Sequence, residues 1–136
     1  MKALVTLIKI HRNKIDQIVI DIKNCETERL KQVAALEKLF QDLKSETDKF
    51  ADSVEFAFML EKYREHINHL KSEVSNKIIA LEKKVVDLRA SLRIEFNSLK
   101  KFEHVLKNRL LQEKVAAEKK AEAEIADNIM MKYNYK

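Results

Sequence analysis

The 136 residues of this chain include no glycine, no proline and no tryptophan. Glycine supplies left-handed backbone conformations and proline stops helices and strands, so a fold built on many tight turns would use both repeatedly. Their absence excludes most β-sheet architectures. It also disfavours a compact bundle of three or four helices, whose short connections are normally marked by those residues. Aromatic residues are scarce at 7%. A single cysteine, Cys25, rules out an internal disulfide framework and fits a reducing compartment. It falls in phase with apolar neighbours, where a thiol packs as a small hydrophobe. Long apolar runs are missing too. The opening Met1-Lys2-Ala3-Leu4-Val5-Thr6-Leu7-Ile8-Lys9 is interrupted by Lys9 after six apolar or neutral residues. That is too short for a signal-peptide core, and no stretch approaches the ~18 apolar residues of a membrane span. The expectation is a soluble, cytoplasmic protein.

What remains is dominated by Ala, Leu, Ile, Glu, Lys, Arg and Gln, most of them good helix formers, and charged residues make up 36% of the chain. This balance suits long solvated helices. The formal net charge is +5, but acidic and basic residues are interleaved along the whole sequence. Interspersed charge marks solvated helix faces, so no nucleic-acid partner is expected.

Apolar residues recur at alternating steps of four and three. A first stripe runs Leu4, Ile8, His11, Ile15, Ile18, Ile22, Cys25, then Leu36, Leu39, Leu43 and Phe50, with the polar Arg29 and Gln32 holding register between its halves. A second runs Phe56, Leu60, Tyr63, Ile67, Leu70, Val74, Ile78, Leu81, Val85, Leu88, Leu92, Phe96, Leu99 and Leu106. Sustained heptads of this kind mean coiled coil. Doubled steps of four around Val74 and around Leu92 predict a drifting phase and a looser supercoil at those points.

Between the stripes lies Ser45-Glu46-Thr47-Asp48-Lys49-Phe50-Ala51-Asp52-Ser53, the densest run of Ser, Thr and Asp. Such side chains accept hydrogen bonds from the free amides of a helix start, so Asp52 or Ser53 is expected to cap a second helix at Val54. The fold class is therefore all-α: a long two-helix antiparallel coiled-coil hairpin forming one domain over residues 1–136. The helices are expected at about 3–47 and 54–131, with the turn at about 48–53. At ~1.5 Å per residue the arms measure roughly 70 Å and 115 Å, and the second overhangs the first. In the overhang alanine replaces leucine over Gln112 to Ile125, leaving a weak apolar stripe of Val115, Ile125 and Ile129 for a partner or a second protomer to cover.

No catalytic constellation is legible: there is no glycine-rich phosphate loop, no nucleophile elbow and no cysteine pair at zinc-ligand spacing. The protein is expected not to be an enzyme and to need no metal or cofactor. His66 and His69 share a helix face at i,i+3 but lack further ligands at predictable positions, so they read as a polar flank of the stripe. Near the turn, Phe56 and Tyr63 fit the stripe, whereas Phe58 and Met59 fall beside it. Such residues are either core filler or an exposed partner patch, with Tyr63 open between the two and Phe58 reading as exposed.

The Leu-x-x-Leu opening (Leu4, Leu7), the first helix, the Ser/Asp-rich turn, the longer second helix and the closing run Ser98-Leu99-Lys100-Lys101-Phe102-Glu103-His104-Val105-Leu106-Lys107-Asn108-Arg109, followed by the Glu/Lys/Ala segment and Ala126-Asp127-Asn128-Ile129, together resemble the flagellar export protein FliJ and the related injectisome stalk proteins. The resemblance covers nearly the whole chain and lies in spacing more than in particular residues. Where that family commonly carries an acidic pair near its end, this chain has Ala126-Asp127-Asn128.

The resemblance implies a soluble, stalk-like component of a bacterial type III export apparatus. Such a component inserts into the export ATPase ring and promotes its assembly, contacts the cytoplasmic domain of the export-gate membrane protein, and binds substrate chaperones. It would be monomeric and at most peripheral to the inner membrane. Carried over by position, the ATPase contacts fall on Leu4, Leu7, Ile8, Leu106, Arg109 and Leu110, and the export-gate contacts on Leu39, Leu43, Tyr63 and Ile67. Two other readings compete: a client-holding chaperone acting through Phe50, Phe56 and Phe58 at the hairpin tip, and a self-assembling coiled-coil scaffold.

Overall fold

The computed structural model describes residues 1–51 and 54–134. The fold is all-α, with helix α1 over Lys2–Phe50 and helix α2 over Ala57–Asn134, and no strand among the described residues. Both helices reach a few residues beyond the ranges read from the sequence, and α2 begins three residues later than Val54. Without glycine or proline nothing in the backbone halts α1 early. Its last turn keeps a Thr47 hydroxyl bond to the Leu43 carbonyl (2.7 Å) and carries Lys49, whose charge favours a helix C-terminus. The proposed caps Asp52 and Ser53 lie outside the described residues. On the far side of the connection, the Ala57 amide donates to the Val54 carbonyl and the Leu60 amide to that of Phe56. No described residue has a positive φ.

The contacts divide into two compact units. Unit 2, Asp16–Arg93, holds the connection. In it the α1 stripe packs antiparallel to the α2 stripe: Cys25, Ile67 and Val85 are buried, while Ile18, Ile22, Leu36, Leu39, Leu43, Leu60, Tyr63, Leu70, Val74, Ile78, Leu81 and Leu88 are half-buried. Arg29 and Gln32 are half-buried at their heptad positions, so the seam runs on through its polar stretch. Polar flanks tie the two segments together: the Arg89 guanidinium donates to Glu26 at 3.0 Å, and the Lys71 ammonium sits 3.6 Å from the centre of the Phe40 ring. At Val74 the doubled step of four is present, and Lys71 and Ser75 join the half-buried set. Phe50 and Phe56 face each other across the connection with ring centres 5.0 Å apart.

Unit 1 comprises Met1–Ile15 and Ile94–Lys136, described here to Asn134. Leu4, Ile8 and Leu99 form its buried centre, with Ile15, Phe102 and Leu106 packed around them. The expected seam position Phe96 is a misreading: the ring is 44% exposed, and its neighbour Glu95 takes the inward place. After Leu92 a step of three keeps Glu95, Leu99, Phe102 and Leu106 on one face, whereas a step of four sends Phe96 outward, beneath the Lys100 ammonium at 5.2 Å. The phase drift expected at Leu92 is accordingly absent. A carboxylate is tolerated there because His11 of α1 stands opposite and its Nδ1 bonds Glu95 Oε2. The His11 ring also stacks on Phe102, centres 5.2 Å apart.

Candidate functional site

Since each helix segment buries one narrow stripe, chemistry and recognition fall to what that stripe leaves outside. In unit 1 the expected ATPase-contact residues separate into two groups. Leu4 and Ile8 are buried at 7% and 5% exposure, and Leu106 packs against them, so these three hold the helix pair together. Leu7, Arg109 and Leu110 point outward. The Arg12 guanidinium, 2.9 Å from Glu103, adds an exposed clamp beside the His11–Glu95 pair.

Beyond Leu106 the arrangement changes. Every residue from Lys107 to Asn134 is exposed, and the helix is unbroken throughout. Of the positions that would continue the buried face, Arg109, Glu113, Lys120 and Asp127 are charged and Ala116 and Ala123 are alanines, so no large apolar side chain there asks for coverage by α1. Apolar residues recur on another face instead: Leu111, Val115, Ile125 and Ile129 are all 43% exposed or more. Five residues at about 100° each turn Leu111 roughly 140° from Leu106, so this stripe is not a continuation of the seam. Leu111, Gln112, Val115, Ala116 and Lys119 line a shallow groove on it.

In unit 2 the expected export-gate residues are seam residues first. Ile67 is 4% exposed, and Leu39, Leu43 and Tyr63 are half-buried. Of these, Tyr63 lines a groove of about 270 Å³ together with Phe50, Phe56, Met59, Leu60 and Glu46. Phe58 stands beside it, 70% exposed, with the Lys62 ammonium 4.9 Å above its ring. Sequence reading named the aromatics but missed Glu46 and Leu60 as groove residues. The only signal for them was helical spacing, Glu46 one turn before Phe50 and Leu60 one turn after Phe56.

His66 and His69 are exposed, and the His69 Nε2 faces Glu73 at 3.1 Å on its own helix. Cys25 is buried at 6% exposure as a free thiol beside Leu81. Among the described residues no three metal-ligating side chains converge, and no helix is long and apolar enough to cross a membrane. What the arrangement offers is surface: an exposed helix with a displaced apolar stripe, and an aromatic groove beside the connection. No family model, curated protein or solved structure matches the chain.

Proposed function

We propose that this chain is a stalk-like component of a bacterial type III export apparatus, acting in the cytoplasm and held peripherally at the inner membrane by its partners. It inserts into the export ATPase ring, promotes ring assembly and activity, and contacts the cytoplasmic domain of the export gate and the substrate chaperones. The observation that carries the reading is the helix from Lys107 to Asn134, fully exposed and yet carrying Leu111, Val115, Ile125 and Ile129 on one face. An isolated helix in water is marginal, and most helical stability in proteins comes from packing an amphipathic face. A partner that receives this segment supplies that packing. Leu7, Arg109 and Leu110 are free to engage the same partner, while Leu4, Ile8 and Leu106 keep the adjoining helix pair closed. For the gate, the surface offered is the groove at Tyr63, with Leu39, Leu43 and Ile67 farther along the seam.

Mixing the ATPase subunit of the same organism with the chain and following ring assembly by sedimentation tests this. The full chain is expected to shift the subunit toward the hexamer, and a chain lacking Gln112 to Lys136 is expected not to. Equal assembly with and without the chain would remove the stalk reading. The groove and the exposed Phe58 and Met59 favour a second reading, a client-holding chaperone working at the tip. In that case Phe58→Ser with Met59→Ser abolishes suppression of client aggregation while the truncation leaves it intact.

A further inference from the structure

On the extension, Leu111, Val115, Glu118, Glu122, Ile125 and Ile129 follow steps of four, three, four, three and four. They form one heptad face, apolar at both ends and acidic in the middle. All six are exposed, and neither Glu118 nor Glu122 has an ion-pair partner among the described residues. The pattern is nearly palindromic. In an antiparallel pairing of two copies, Leu111 would meet Ile129 and Val115 would meet Ile125, but Glu118 would meet Glu122 twice over, placing four carboxylates in the centre of the interface. Like charges at packed positions are destabilising, so the face is built against a second copy of itself. The same pattern suits a helix with the opposite centre.

We infer that this face docks an α-helix of another protein that carries apolar residues at both ends of a heptad stretch and lysine or arginine at the two positions between them. Apolar layers at the ends supply the burial, and the central cations pair with Glu118 and Glu122 where flanking side chains exclude water. The charged centre also fixes register, because a slip by one heptad sets Glu118 or Glu122 against an apolar side chain. The inference deepens the stalk reading and rests on the extension engaging another protein. It states what that protein must present.

Two synthetic helical peptides of about three heptads, identical in their leucine and isoleucine flanks but centred on two lysines or on two glutamates, test it by fluorescence anisotropy against the full chain. The lysine-centred peptide is expected to bind about tenfold more tightly. The variant Glu118→Lys with Glu122→Lys, whose helicity by circular dichroism should match the parent, is expected to reverse the preference. Equal affinity for the two peptides, or no binding of either, would overturn the inference. So would dimerisation of the full chain that Leu111→Ser with Ile125→Ser abolishes, because the occupant would then be a second copy. Loss of peptide discrimination with ring assembly still dependent on the extension would overturn this inference alone and leave the stalk reading standing.

Discussion

Among single residues, the His11–Glu95 pair separates what sequence periodicity sees from what it does not. A heptad search favours an apolar side chain, so it passes over Glu95 and takes Phe96. The carboxylate belongs in the seam only because of a histidine more than eighty positions earlier in the chain, a relation that appears once the two segments lie together. The side chains of His11 and Glu95 are 16% and 21% exposed. Removing one partner leaves the other partly desolvated and unpaired, so His11→Ala should cost about 1–2 kcal/mol in urea unfolding. Replacing both with leucine should recover most of that loss, since an apolar pair of similar volume fills the site without a desolvation cost. A double variant weaker than either single one would contradict this account. The exposed pairs Arg12–Glu103 and Arg89–Glu26 should each contribute less than about 1 kcal/mol. Cys25 was legible from phase alone and is buried. Its thiol should react with a disulfide reagent far more slowly in the folded protein than in denaturant, and equal rates would show that the helix pair opens freely around it.

For the helices, the seams were readable over most of their length because a two-helix coil needs little more than the step pattern. Arg29 and Gln32 show how far that reaches: both hold their heptad places although neither is apolar. The connection was less legible. No helix breaker marks it, and the contact that spans it, between Phe50 at the end of α1 and Phe56 just before α2, appears only once the chain has turned back. The register correction in α2 gives a sharp prediction. Leu99→Ala removes a buried side chain and should cost about 2–3 kcal/mol. Phe96→Ala, three residues before it, should cost less than about 1 kcal/mol because the larger ring is largely outside. Chemical denaturation of the two variants distinguishes the registers, and the reverse order would return Phe96 to the seam. In unit 2, Ile67→Asp places a charge at one of its most buried positions and should abolish cooperative unfolding.

For the molecule as a whole, sequence alone pointed to an exposed closing segment but not to the change of face within it. The notable residues are the charged ones: Arg109, Glu113, Lys120 and Asp127 end the old face, while Leu111, Val115, Ile125 and Ile129 begin another. Single-sequence reading records a thinning of leucine there, whereas the angular offset from Leu106 shows that the apolar surface has turned away. Because no described residue covers Lys107 to Asn134, deleting Gln112 to Lys136 should leave the thermal unfolding of the remainder unchanged while lowering total helicity. A collapse of the remaining fold would mean that the segment stabilises its own chain rather than a partner. The most direct test of the proposed stalk function is the steady-state ATP hydrolysis rate of an export ATPase from the same organism, measured with the full chain and with the truncated one. Stimulation by the full chain that disappears on truncation is the predicted result. An unchanged rate at saturating full-length protein would contradict it.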